Sequence, residues 1–132
     1  MEYKKYKIKI GIVITSFSSF RTEDKSIIYN KEYKDIPIFD ILDGETLNVV
    51  LDKSVRGLLG IKPKIDGIGW LELKNTKIIE SDDHIKIIFA GVTPEEFKIR
   101  NEVYEWKKIL EVIDRGLTKE NQEILKQSIM NY

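Results

Sequence analysis

The sequence predicts an α/β domain of the α+β kind, a mixed β-sheet flanked by helices, with one central helix and a C-terminal helix. Three observations carry that expectation. A period-two apolar pattern occupies the N-terminal region, an apolar stripe at three- and four-residue steps fills the middle, and short strand-like segments alternate with loops before a final helical stretch. At 132 residues the chain reads as a single domain spanning 1–132, too short for two ordinary ones.

From Lys4 to Phe17, the residues Tyr6, Ile8, Ile10, Ile12 and Ile14 alternate with Lys5, Lys7, Lys9, Gly11, Val13 and Thr15. Successive strand residues point to opposite faces, so the polar face turns apolar along the segment and its end enters a core. The apolar stretch from Ile8 to Phe17 is only ten residues and lacks a small-residue cleavage site, so it reads as a strand, not a signal peptide or membrane span. Ser16 to Lys25 is polar and carries both signs of charge, which suits a loop or wide hairpin before a short strand at Ser26 to Tyr29. The segment Lys31 to Lys34 is expected to be exposed. An apolar run from Ile36 to Leu42 crosses Pro37, which lacks an amide hydrogen and belongs at a sheet edge or a strand start.

Asp43 and Gly44 mark a turn into a helix expected from Glu45. Along it Leu47, Val50, Leu51, Val55, Leu58 and Leu59 fall on one face, and Gly60 occupies the place of a left-handed C-terminal cap. Ile61 to Lys74 reads as one or two strands, Asn75 to Asp83 as a loop with a short strand at Lys77 to Ile79, and His84 to Val92 as a buried strand. Thr93, Pro94, Glu95 and Glu96 form a turn. After a loop, Val103 to Trp106 is a short strand or extended segment, while Trp106, Ile109, Leu110 and Ile113 suit a short helix ending near Gly116. Thr118 can cap a last helix whose Ile124, Leu125 and Ile129 face inward.

Composition narrows the chemistry. Hydrophobic residues make up 42% and charged residues 33%, enough for a buried interior under a solvated surface. Lys and Arg number 22 and Asp and Glu also 22, so no net field draws the protein to polyanions, and nucleic acid is a disfavoured partner. With no Cys there are no disulfides and no thiolate metal sites, which fits an intracellular, cytoplasmic protein. His84 is the one histidine, which excludes zinc sites needing two imidazoles and any serine triad built elsewhere.

The segment PIFDILDGETLNVVLDKSVRGLLGI, Pro37 to Ile61, resembles a Nudix box with the proline that commonly precedes it. The family pattern is G, five residues, E, seven residues, then R-E-U-x-E-E-x-G-U, with U aliphatic. With its last two positions on Gly60 and Ile61, the first Glu falls on Glu45 without a gap, and Val55 fills an aliphatic position. The departures are larger: the first Gly falls on Phe39, the Arg on Lys53, and the three later glutamates on Ser54, Gly57 and Leu58. DDHIKIIFAG and EVYEWKKILEVIDRGLTKENQEIL also resemble the family's later strand and closing segment, so the likeness covers most of the chain. It implies a Nudix-type α/β/α sandwich. In the family those glutamates hold Mg²⁺ or Mn²⁺, which bridges a pyrophosphate and activates water. Hard cations need several oxygen donors, which Gly57 and Leu58 lack, and Leu58 is expected to make the former metal face apolar. No cofactor is therefore expected, and Mg²⁺ or Mn²⁺ enters only under a hydrolase reading.

No residue set completes a catalytic constellation; Glu45 and Glu102 are the remaining candidates, Glu102 because some members carry a further carboxylate there. Against this, a Glu in a first helical turn ordinarily complements the helix dipole. Lys53, Tyr104 and Glu105 are the ligand-binding candidates: Lys53 for a phosphate, unless simply solvated, and Tyr104 for stacking on a base. Arg56 is given a surface role. Trp106 is expected in the core, and Trp70 and Phe89 are expected to be buried. Asp82, Asp83 and His84 offer a weak cation loop, with a solvated strand-edge histidine as the commoner outcome. Three functions compete: a non-catalytic domain binding a nucleotide-type small molecule or a protein, a divergent pyrophosphohydrolase using Glu45, Glu102 and Glu105 or Asp82, and a structural module that pairs as a homodimer.

Overall fold

The computed structural model describes residues 7–16, 25–64, 70–112 and 122. Residues 17–24 of the loop expected from Ser16 to Lys25, and the capping of a last helix by Thr118 with Ile124, Leu125 and Ile129 inward, lie outside these residues.

The opening strand, β1 (Lys7–Ser16), is the spine of the sheet. Its residues from Ile10 onward are buried on both faces, as its change from alternating to continuous apolar character requires. Next come β2 (Ser26–Asn30) and β3 (Ile38–Ile41), both antiparallel to β1. They share one side of it: β3 pairs with Ile8 to Gly11 and β2 meets Thr15. Pro37 sits just ahead of β3, where its missing amide costs no ladder bond, and its carbonyl accepts from the Ile12 amide at 3.0 Å.

The helix α1 (Leu47–Leu59) follows, then the two-residue strands β4 (Pro63–Lys64) and β5 (Leu71–Glu72), paired in parallel as a separate small sheet. Beyond them β6 (Lys74–Glu80) and β7 (His84–Thr93) form an antiparallel pair, and β7 lies parallel to β1 over its whole length, from Lys7 opposite His84 to Ser16 opposite Thr93. Then β8 (Tyr104–Lys108) pairs antiparallel with β2 and leads directly into α2 (Ile109–Val112). The main sheet runs β6-β7-β1-β2-β8 with β3 also on β1, and is mixed because only β1 and β7 are parallel.

Two differences from the sequence reading concern β6 and Trp106. The segment Asn75 to Asp83, expected as a loop holding a short strand at Lys77 to Ile79, is largely a longer edge strand of seven residues that contains those three. Nearly all its side chains are exposed, so it has no buried face to produce a period-two signal, and a bulge between Asn75 and Lys77 breaks its register. Trp106, expected both to end an extended segment from Val103 and, by its spacing to Ile109, to suit a helix, is in β8 opposite Ile28, so the extended reading holds and the helix starts only at Ile109. Strand β2 supplies the ladder that overrides the local periodicity.

The sheet separates two apolar layers. Ile10, Ile12, Ile14, Ile28 and Phe89 meet Val50, Leu51, Val55, Leu58 and Leu59 of α1. On the other face, Val13, Ile27, Tyr29, Ile36, Ile88 and Ala90 pack with Ile109 and Val112 of α2. Gly11 leaves room here for the Ile88 side chain, whose δ-methyl would lie 2.6 Å from a β-carbon and would have to shift. No helix among the described residues is long and apolar enough to cross a membrane.

Candidate functional site

The segment leading into α1 is built by Glu45. Gly44 takes φ +85°, and the Glu45 amide donates to the Leu42 carbonyl at 3.0 Å. In return the Glu45 carboxylate accepts from the Leu42 amide at 3.1 Å, and its other oxygen faces Lys53 Nζ at 3.5 Å. Thr46 is the N-cap, its hydroxyl accepting from the Val49 amide at 3.2 Å. Glu45 thus precedes the cap and does not belong to the first helical turn, because Thr46 is the better cap and starts the helix one residue later. Lys53 is 70% exposed, so its ion pair with Glu45 is screened and worth little. Arg56 is likewise at the surface, paired with Asp52 at 3.0 Å.

Further along α1, the positions where the resemblance places glutamates do not converge on a metal site. Ser54 is buried, and its hydroxyl donates to the Val50 carbonyl one turn back at 2.7 Å. Leu58 is 2% exposed and belongs to the core cluster, as its place on the apolar face of the helix predicts, so it does not line a former metal face. The reason is the apolar stripe itself: Leu51, Val55 and Leu58 recur at helical spacing and form one ridge against the sheet. Gly57 is exposed, with open space where a side chain would begin. The three positions carry no carboxylate, and two of them face the interior, so they do not fit a divalent cation.

The remaining candidates are dispersed. Tyr104 and Trp106 project to the α1 face of the sheet, where both pack on the core, and Trp106 Nε1 donates to the Phe97 carbonyl at 2.7 Å. The Tyr104 ring lies 6.3 Å from that of Phe39, and burial pushes its hydroxyl pKa up, partly opposed by a hydrogen bond with Asn30. Glu105 lies opposite Tyr29, on the other face. Burial first, then the charges of Asp35 and Glu105, push the Tyr29 pKa up, and Lys107 sits 4.9 Å from the centre of its ring. Tyr104 and Glu105 are therefore adjacent in sequence and separated by the sheet, and neither is hydrogen-bonded or ion-paired to Lys53, whose partner is Glu45. Glu102 is exposed in the turn before β8. His84 Nδ1 lies 2.9 Å from Asp83 Oδ1, and this contact holds the Asp83 carboxyl below its ordinary pKa. Among the described residues no group of three or more His, Asp or Glu could hold a metal ion.

Phe89 is buried as expected, whereas Trp70 is not: it is 87% exposed, immediately before β5. The sequence held a signal for this, since adjacent residues entering a strand point to opposite sides and Leu71 takes the inward one, at 4% exposure. Trp70 lines a half-open depression of about 250 Å³ with Glu72, Lys74 and Val92, which the sequence reading missed.

No protein-family profile matches the sequence, and no curated protein does. Solved structures do match. A dihydroneopterin triphosphate pyrophosphohydrolase from E. coli is 14% identical with a TM-score of 0.65, the match covering 98% of this chain and 100% of that one. A NUDIX-family hydrolase from Clostridium perfringens is 9% identical with a TM-score of 0.64, over 96% and 98%. The C-terminal domain of mouse MUTYH, solved in complex with human PCNA, is 7% identical with a TM-score of 0.69, over 96% and 88%. The mixed sheet, the helix against one face and these matches along nearly the full length agree: this chain has the Nudix fold.

Proposed function

We propose that this Nudix-fold domain binds a nucleoside-diphosphate type compound without hydrolysing it. The observation that carries the reading is the composition of α1: Ser54 commits its hydroxyl to Val50, Gly57 has no side chain, and Leu58 is core. Metal-assisted attack on a pyrophosphate needs oxygen donors that these residues do not supply. The competing hydrolase reading requires Glu45, Glu102 and Glu105 or Asp82 around one cation. Glu45 instead closes the turn at Leu42. A protein ligand is the second reading, favoured by the position of Glu105 on the opposite face of the sheet from Tyr104.

Incubation with Mg²⁺ or Mn²⁺ and a panel of nucleoside diphosphate derivatives is expected to release no product. At least one of them is expected to raise the melting temperature, a ligand at a hundred times its Kd adding about 2.7 kcal/mol. Metal-dependent turnover abolished by Glu45→Gln would sink the reading, and no stabilisation by any nucleotide transfers the case to a protein partner.

A further inference from the structure

We infer that the depression beside β5 is a binding site for one planar heterocycle carrying both N–H donors and a carbonyl acceptor, of purine size. This deepens the proposed function by naming a subsite, and so rests on that reading.

Local structure fixes the site. The Lys62 carbonyl accepts from the Trp70 amide at 2.9 Å and from the Leu71 amide at 3.3 Å, which anchors the backbone under the indole. Leu71 is buried in the core, so Trp70 and Glu72 on either side of it project outward. Gly91 lets this segment lie against β7: a β-carbon there would stand 2.7 Å from the Leu73 side chain and 3.0 Å from the Glu72 carbonyl. That close approach brings Glu72 beside Val92 and forms the depression.

Its lining supplies complementary chemistry. The indole offers a flat π-face on which a base can stack whatever its identity, since every base has a π-face. Glu72 supplies an acceptor and Lys74 a donor, and neither side chain forms an ion pair or hydrogen bond with another described residue. The two charges cancel, which suits a neutral ring with both kinds of polar edge better than a polyanion. At about 250 Å³ the space holds one ring system and not a dinucleotide.

The test is titration of the full chain with guanosine, adenosine and uridine, reading tryptophan fluorescence in a Trp106→Phe background so that Trp70 alone reports. Guanosine is expected to quench saturably and most tightly, because it presents N–H donors beside a carbonyl. Trp70→Ala, followed by calorimetry, is expected to weaken binding at least tenfold, and Glu72→Gln to weaken guanosine more than uridine. The proposal is overturned if no nucleoside quenches saturably, or if affinity survives Trp70→Ala. Nucleosides carry no phosphate, so the two readings separate: nucleoside diphosphates that still stabilise Trp70→Ala leave the proposed function standing and remove this site.

Discussion

At the scale of single residues, Leu58 is the most informative side chain. It sits where the Nudix pattern has a glutamate, yet it is 2% exposed among core residues. Leu58→Glu would remove apolar packing and bury a carboxyl, at a cost of about 3–5 kcal/mol. Leu58→Met keeps the volume and should cost less than about 1.5 kcal/mol. Urea unfolding of both variants checks this, and a stable Leu58→Glu protein would mean that the position opens to solvent. The two tyrosines give a pH prediction. Tyr29 and Tyr104 have folded-state pKa values raised above the ordinary 10.0, chiefly by burial. The unfolded chain therefore loses these protons first, and the stability they contribute is complete below pH 10.0 and is lost as pH rises through the folded values. Tyr29→Phe and Tyr104→Phe should each flatten the alkaline limb of a stability profile; an unchanged limb in both would contradict the assignment.

At the scale of elements, α1 owes its start to Thr46 and its end to Gly60. Thr46→Ala removes the hydroxyl that accepts from Val49 and should cost about 1 kcal/mol by denaturant unfolding; no loss would mean that another group caps the helix. Gly60 takes φ +69° under the Arg100 guanidinium, and the Arg100 amide donates to the Leu58 carbonyl at 2.8 Å. This helix is legible in the sequence because its apolar stripe and terminal glycine are local signals. The strand β1 is legible for the same reason. By contrast β6 is legible only in its middle, at Lys77 to Ile79, since an edge strand exposed on nearly every side chain leaves little periodic trace. The site is less legible than the fold. Adjacency in sequence groups Tyr104 with Glu105, but a strand sends neighbours to opposite faces. Residue type assigns Trp70 to the interior, and the competition with Leu71 for one inward position decides otherwise.

At the scale of the whole molecule, protection should follow the sheet order. Amides of Ile10 to Ile14 and Ile87 to Ala90, paired at its centre, are expected to exchange only through global unfolding. Those of the outer strand β6 should exchange at least about tenfold faster through local opening. Uniform protection across β6, β7 and β1 would show that the edge does not open by itself. The partnership of β1 with β7 also bears on synthesis. Lys7 is matched to His84, so a greasy segment emerging from the ribosome waits for more than half the domain to follow before its longest neighbour exists. During that interval its exposed isoleucines are a target for holding chaperones and for self-association, which makes translation speed a determinant of yield.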